Sequence, residues 1–240
     1  MSKIFIGTSG WTYRHWYDVF YPSDLASNKL LEYYADSFKT VELNTSFYHL
    51  PRPIVYCNWY KKTPSNFVFS VKASRFITHI KKLKDPEESW QRFIDSAKEL
   101  KEKLGPILFQ LPPSLKADKK RLEGLFKILP KKYLYCLEPR HETWFSDDIY
   151  DILKKYQVAL CLADSPVYPL KIKMTSSFVY IRFHGGKILY GSKYSEKELK
   201  QWVKRITNWQ KEKLDVYVYF NNDYEGYAIE NAKRLKELLQ

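Results

Sequence analysis

The chain has 240 residues, of which 45% are hydrophobic and 17% aromatic, with only eight glycines, and this composition excludes a disordered or fibrous protein. No apolar run of about 18 residues would span a membrane, and the first residues lack the apolar stretch and cleavage site of a signal peptide, so we expect a cytoplasmic protein. The 40 Lys and Arg against 27 Asp and Glu give a net charge of +13, which favours either anionic partners or simple solubility.

Eight short segments rich in Val, Ile, Phe and Tyr predict eight β-strands, with polar or helical stretches between them. These segments are Ile4 to Ser9, Val41 to Tyr48, Phe67 to Ala73, Ile107 to Leu111, Leu134 to Glu138, Val158 to Ala163, Val179 to Phe183 and Val216 to Phe220.

Most connections between these strands have helical periodicity. The clearest begins at Asp85-Pro86-Glu87-Glu88 and ends before Gly105, and another begins at the capping box Ser195-x-x-Glu198. A third follows Ser146. Four more helices are predicted at Asp24 to Phe38, Pro53 to Lys62, Asp118 to Leu129 and Ala228 to Leu239.

The sixth connection contains Pro166, Pro169 and a Thr-Ser-Ser run, which predict a loop or a short helix. Eight strands alternating with helices over 240 residues predict a TIM-type (β/α)8 barrel, and an open, doubly wound sheet is the alternative. No linker divides the chain, so we expect a single domain over residues 1–240. Cys57, Cys136 and Cys161 form no Cys-x-x-Cys pair and are expected to be reduced.

Side chains alternate between the two faces of a strand, and polar residues occupy the ends of the predicted strands on one of these faces. Because barrel enzymes build their active sites where the carboxyl ends of the strands meet, we expect a site there. The candidates are Glu42, Asn44 and Ser46 on the second strand, Ser70 and Lys72 on the third, Gln110 on the fourth, Glu138 and Arg140 on the fifth, Asp164 on the sixth, Tyr180, Arg182 and His184 on the seventh, and Asn221 on the eighth.

An alternative is that these acids and bases only neutralise one another inside the barrel. Burying three acids and three bases costs free energy that apolar packing would avoid, so we favour a site.

A series of sequence motifs begins with Gly7-Thr8-Ser9-Gly10-Trp11 and Val41-Glu42-Leu43-Asn44 and extends to residue 232. The later blocks are Ile77-Thr78-His79, Gly105 to Pro113, Glu138-Pro139-Arg140-His141 with Trp144, Arg182-Phe183-His184-Gly185, and Tyr219-Phe220-Asn221-Asn222. In this order the motifs resemble those of the YecE-like family, domain of unknown function 72. The resemblance implies a barrel fold but no reaction. One departure is Pro139, where the family pattern usually carries an aromatic residue.

The chain has no Gly-x-Gly-x-x-Gly fingerprint and no phosphate loop, so no nucleotide cofactor is expected. Cations beside carboxylates favour an enzyme of the hydrolase or lyase/isomerase type that acts on an anionic, ring-containing metabolite or nucleotide. The predicted catalytic residues are Glu138, His184, Glu42 and Asp164. The predicted substrate-binding residues are Lys72, Arg140, Arg182, Asn44, Gln110, Asn221 and His141, with the aromatic side chains Trp11, Phe47, Tyr48, Trp144 and Tyr190.

Two other functions are weighed against this one. A nuclease or phosphoesterase would hold a divalent metal on Glu42, Glu138, Asp164 and His184, although the neighbouring arginines would repel the metal. A non-catalytic module would instead bind nucleic acid or an acidic partner through its basic exterior.

Overall fold

Each segment predicted as a strand overlaps a strand in the structure, a computed structural model that describes residues 2–240. Met1, the first residue of the predicted domain 1–240, lies outside the described residues. The strands are β1 (Ile4–Thr8), β2 (Thr40–Leu43), β3 (Val68–Lys72), β4 (Leu104–Gln110), β5 (Tyr135–Glu138), β6 (Val158–Asp164), β7 (Phe178–Phe183) and β8 (Asp215–Phe220).

Helices separate most of these strands. The α-helices are α1 (Leu30–Ser37), α2 (Thr45–Tyr48), α3 (Pro53–Lys61), α4 (Glu87–Ala97), α5 (Lys119–Ile128), α6 (Asp147–Lys155), α7 (Glu196–Lys211) and α8 (Tyr227–Leu238). Residues 165–177, all of them described, contain no helix, which confirms the prediction that the sixth helix is short or missing. No helix within residues 2–240 is long and apolar enough to cross a membrane.

The strand order is β1-β8-β7-β6-β5-β4-β3-β2. The strands therefore follow chain order around the sheet, and the first strand lies beside the last. A doubly wound sheet would instead reverse its strand order at a switch point. The strand pairings with a defined register, such as β7 with β8 and β4 with β5, are parallel. The fold is a TIM-type (β/α)8 barrel, as predicted.

The chain divides into two compact units. The first contains the chain up to Glu42, Leu162–Leu170 and Ser177–Gln240. In this unit Phe183 stacks on Phe220 at 4.6 Å between ring centres and meets Trp202 of α7 edge-on, so this strand face packs beneath a helix. Gly7 is required because a Cβ atom there would lie 2.2 Å from the Thr40 carbonyl oxygen.

The second unit contains Leu43–Cys161 and Lys171–Ser176. Strands β3, β4 and β5 pair side by side here, with Gln110 directly opposite Glu138. Trp90 of α4 packs on Phe109 and Tyr135, at 6.1 and 5.9 Å between ring centres. These apolar contacts fix the strand ends that carry the charged side chains.

The second strand is shorter than predicted. It ends at Leu43, because Asn44 adopts a helical conformation (φ −95°, ψ −17°) and α2 begins at Thr45. The prediction that Glu42, Asn44 and Ser46 share one strand face is therefore wrong. Ser46 lies on α2, and its hydroxyl donates 2.6 Å to the Lys72 carbonyl oxygen.

Two predicted helices also differ in extent. The helix predicted from Asp24 begins at Leu30, after a 3-10 turn at Ser27–Lys29. The helix predicted from Asp85 ends at Ala97 and continues only as 3-10 turns, which Lys101 interrupts with a positive φ of 50°. The predicted capping box is confirmed, since Ser195 and Glu198 bond each other at the start of α7.

Candidate active site

Polar side chains at the ends of the strands form two clusters, one in each unit. The first, called the Glu42 cluster, contains Ser9, Glu42, Tyr180, Arg182 and His184. The second, called the Glu138 cluster, contains Lys72, His79, Gln110, Glu138 and Arg140.

Glu42 accepts four hydrogen bonds at full burial. Arg182 donates two of them, from Nε to Oε2 at 2.9 Å and from Nη2 to Oε1 at 2.7 Å. Ser9 donates to Oε1 and Tyr180 to Oε2, both at 2.7 Å. Such a bidentate ion pair between a buried arginine and a carboxylate is strong and geometrically specific.

The same contacts fix the charge of Glu42. Burial alone would raise the pKa of this carboxyl, but the Arg182 charge and the hydrogen bonds from Arg182, Tyr180 and Ser9 outweigh it, and the pKa is lowered. Glu42 therefore stays ionised. The geometry of Glu42 is that of a carboxylate that positions Arg182. It is less suited to exchanging protons with a substrate.

His184 lies beside this ion pair and is fully buried. Its Nε2 lies 3.4 Å from Nη1 of Arg182, and its Nδ1 lies 3.2 Å from the Asn221 side-chain amide. Tyr190, 37% exposed, packs edge-on against the imidazole at 5.5 Å. Because a guanidinium group can only donate, it favours a neutral His184 whose Nε2 accepts.

Asp164 is oriented away from the side chains it was grouped with. Its carboxylate accepts a 2.7 Å hydrogen bond from Trp202 of the outer helix α7. Burial raises the pKa of Asp164, while hydrogen bonds from Trp202 and Tyr194 oppose the rise. The structure thus brings Asp164 together with the layer of outer helices and not with Glu42 and Arg182.

The Glu138 cluster is built on β4 and β5. Glu138 is fully buried and accepts two hydrogen bonds at Oε1, from Gln110 at 2.8 Å and from Arg140 at 3.0 Å. Pro139 separates the acid from the arginine and does not prevent this ion pair. The Arg140 side chain remains 10% exposed, so the pair reaches solvent through the arginine.

Lys72 at the end of β3 adds a second cation. Its ammonium group lies 3.7 Å from the centre of the Phe47 ring, a cation–π contact. His79 meets Phe47 edge-on at 4.9 Å and is held at Nδ1 by the Thr78 hydroxyl at 2.9 Å. The histidine lies on a single π-helical turn, Phe76–Ile80, a feature that often occurs at functional sites.

This environment keeps His79 neutral. Burial lowers its pKa, the charges of Lys72, Arg140 and Arg75 lower it further, and Glu138 opposes them, with a result of about 4. Burial is the largest cause of this resistance to protonation, and the neighbouring positive charges add to it. The Glu138 cluster therefore has the electrostatics of an anion site with an uncharged imidazole beside it.

The aromatic side chains predicted to bind substrate occupy different environments. Trp144 is fully buried and donates to the Leu115 carbonyl oxygen at 2.7 Å, and Trp11 is 8% exposed, so both pack in the interior. Phe47 is buried between Lys72 and His79, whereas Tyr48 is 63% exposed.

Two other predicted ligand residues have local roles. His141 accepts from the Thr143 backbone at the start of a 3-10 turn. Asn44 keeps its side-chain oxygen buried with no hydrogen-bond partner, which leaves an acceptor at the end of β2.

The arrangement does not favour the metal site that was weighed for Glu42, Glu138, Asp164 and His184. Within residues 2–240 no three or more His, Cys, Asp or Glu side chains are grouped so that they could hold a metal ion. Glu42 and Glu138 each pair with an arginine instead.

Sequence reasoning missed three members of the clusters. The sequence pattern assigns no chemical role to Tyr180, and Ser9 and His79 occur in it only within motifs of the family resemblance. Strand alternation did identify Tyr180 as sharing a face with Arg182, so its hydrogen bond could have been anticipated. No strand pattern predicts His79, because it lies on a turn beyond β3.

The fold and the charged side chains at the strand ends define a (β/α)8 barrel with candidate sites on β2 to β5, β7 and β8. The chain is similar over 99% of its length to the crystal structure of a DUF72 family protein from Thermotoga maritima, with 31% identity, 99% coverage of that chain and a TM-score of 0.89. A DUF72 family protein from Enterococcus faecalis matches 98% of this chain and 95% of its own, with 23% identity and a TM-score of 0.83.

The sequence is also 30% identical to the UPF0759 protein YunF of Bacillus subtilis, over 98% of this chain and 94% of that protein. The family model described as "Protein of unknown function DUF72" matches residues 5–240. The chain belongs to this family, which confirms the resemblance found in the sequence motifs.

Proposed function

We propose that the protein is an enzyme, of the hydrolase or lyase/isomerase type, that binds an anionic, ring-containing metabolite or nucleotide at the Glu138 cluster. The observation that carries the proposal is the neutral His79 beside Lys72 and Arg140, together with the buried carboxylate of Glu138. Two cations prepare the site for an anion, and two groups able to exchange protons lie next to them.

The roles follow from the chemistry of each side chain. Lys72 supplies a compact positive charge, and the planar guanidinium of Arg140 can hold a phosphate or carboxylate with two hydrogen bonds. Glu138 acts as the general base. His79 gains basicity when a bound anion offsets the two cations, so it becomes a proton acceptor only in the complex.

Aromatic side chains support the ring-binding part of the proposal. Tyr48 is exposed and packs edge-on against Phe47 at 5.0 Å, and Phe76 on the π-helical turn is 46% exposed. An exposed aromatic face next to an anion site suits a ligand that carries both a ring and a negative charge.

The proposal includes the compartment. Cys57, Cys136 and Cys161 are in the thiol form, which suits the reducing conditions of the cytoplasm.

Binding tests the anion site first. Wild-type protein is titrated calorimetrically with nucleoside monophosphates, sugar phosphates and aromatic carboxylates, in parallel with Lys72→Met and a matched control, Lys84→Met. Lys84 is exposed and lies between β3 and α4. Each of the two variants loses one positive charge. We expect binding that Lys72→Met weakens at least tenfold and Lys84→Met leaves unchanged. Equal affinity in both variants would contradict the proposal.

Turnover then separates an enzyme from a binding module. With a ligand found in this way, Glu138→Gln should keep binding within a few fold and slow turnover by about 10²–10⁴, the usual contribution of a general base. A binding module would show no turnover in the wild type, and its affinity would depend steeply on salt.

A further inference from the structure

His15 and Asp223 form a pair in the first unit, outside both clusters described above. His15 lies in a 3-10 turn (Arg14–Trp16) that follows β1, and Asp223 follows β8. Nε2 of His15 lies 2.9 Å from Oδ2 of Asp223, and the Trp16 indole donates to Oδ1 at 2.8 Å. The Asp223 side chain is 11% exposed, and that of His15 is 42% exposed.

The contacts determine which nitrogen of His15 carries the proton. An ionised carboxylate can only accept, so Nε2 donates to Asp223 and the lone pair of the neutral imidazole is on Nδ1. The indole of Trp16 holds the carboxylate from its other oxygen. The Tyr13 ring, 5.5 Å from the imidazole, packs on it as well.

We propose that His15 is a second acid/base group of this protein, with Asp223 as its positioning residue. Nδ1 takes a proton from an O–H or N–H group of a bound ligand or from water, the resulting imidazolium is stabilised by the Asp223 carboxylate, and the proton returns to the product or to solvent. The pair does not include any residue of the Glu138 cluster, so this inference does not depend on the proposed function.

Two properties support the assignment. Burial raises the pKa of the Asp223 carboxyl to about 6, while hydrogen bonds from Trp16 and His15 oppose the rise. The carboxylate therefore lies in a partly desolvated environment, where its electrostatic interaction with His15 is stronger than it would be in water. The charge of Asp223 also acts on Tyr21, which is buried. The exposed imidazole, by contrast, can be reached by a ligand.

Chemical acylation tests the basicity of Nδ1 without knowledge of the substrate. A neutral imidazole nitrogen attacks a carbonyl carbon of diethyl pyrocarbonate, forms an N–C bond and releases ethyl carbonate, which decomposes to carbon dioxide and ethanol. The full chain is treated at pH 8, and the rate at each histidine is followed by mass spectrometry of its peptides. His49, which is exposed, serves as the internal reference.

A carboxylate that accepts a hydrogen bond from one imidazole nitrogen makes the opposite nitrogen a better nucleophile, so His15 should react about threefold faster, or more, in the wild type than in Asp223→Asn. The control Asp24→Asn, which removes an exposed carboxylate, should leave the rate at His15 unchanged. The rate at His49 should be equal in all three proteins.

The alternative is that His15 is protonated and that its ion pair with Asp223 only connects two loops. This alternative predicts the opposite result. His15 would then react more slowly in the wild type than in Asp223→Asn, and either this outcome or equal rates would overturn the proposal. If Asp223→Asn does not fold, the wild type decides alone. In that protein His15 should react faster than His49, and a slower reaction would refute the assignment.

Discussion

Replacing Lys72 with methionine should raise the pKa of His79. The ammonium group lies 3.7 Å from the centre of the Phe47 ring, and the imidazole lies 4.9 Å from the same ring, so the charge is within about 9 Å of His79. At an effective dielectric constant of about 20, a unit charge at this distance contributes about 1.8 kcal/mol, or roughly one pKa unit. The pKa of His79, about 4 in the wild type, should therefore rise to about 5 in Lys72→Met.

The assay is an NMR pH titration of protein with isotope-labelled histidine, from about pH 3.5 to 8. His79→Gln assigns the resonance, and circular dichroism at each pH confirms that the protein remains folded. Lys84→Met is the matched control and should leave the pKa of His79 unchanged, because its charge is exposed and screened.

Two results would refute this reasoning. A His79 pKa that is near the ordinary value of about 6.5 in the wild type would mean that burial and the two cations do not suppress protonation. An unchanged pKa in Lys72→Met would mean that Lys72 does not act on His79.

Three further predictions concern the Glu42 cluster. Arg182→Met should lower the free energy of unfolding, measured in urea, by about 3–5 kcal/mol, because it leaves Glu42 buried without its counter-ion. The control Arg234→Met breaks an exposed ion pair and should change this free energy little. Equal losses in the two variants would contradict the prediction. Tyr180→Phe should cost about 1.5–3 kcal/mol by removing a hydrogen bond to a charged group, and no loss in the same assay would argue against that bond. Because the folded pKa of Glu42 lies below its unfolded value, its ionised form stabilises the fold above about pH 4.3, and this contribution disappears as the pH falls through the folded pKa. Stability measured against pH should therefore fall more steeply on acidification in the wild type than in Glu42→Gln, and parallel curves would show that Glu42 is not the group responsible.

The sequence predicted the barrel because its signal is repeated many times. Eight apolar segments, each followed by polar or helical residues, leave few alternatives, and an error in one boundary does not change the count. The boundary predicted beyond Asn44 is wrong. Val41 to Tyr48 is rich in residues that favour strands, yet Asn44 takes a helical conformation and Ser46 bonds to the Lys72 backbone, a contact made by tertiary structure.

The candidate site was predicted in part, because strand alternation identifies neighbours on one strand but not contacts made by tertiary structure. Alternation along a strand correctly grouped Arg182 with His184, and Glu138 pairs with Arg140 as the spacing suggested. Asp164 is predicted to lie in the site because it ends the sixth strand, but its carboxylate contacts Trp202 of α7 instead. His79 could not be found from the sequence pattern, because its contacts depend on how a π-helical turn positions it beside Phe47.

The most direct test of the central claim follows the His79 resonance while an anionic ring compound is added. We expect at least one member of the panel of nucleoside monophosphates, sugar phosphates and aromatic carboxylates to shift this resonance and to raise the pKa of His79, because the bound anion offsets Lys72 and Arg140. Lys72→Met should abolish the effect, and Lys84→Met should preserve it. If no member of the panel affects His79, or if binding raises its pKa equally in Lys72→Met, the Glu138 cluster is not an anion site.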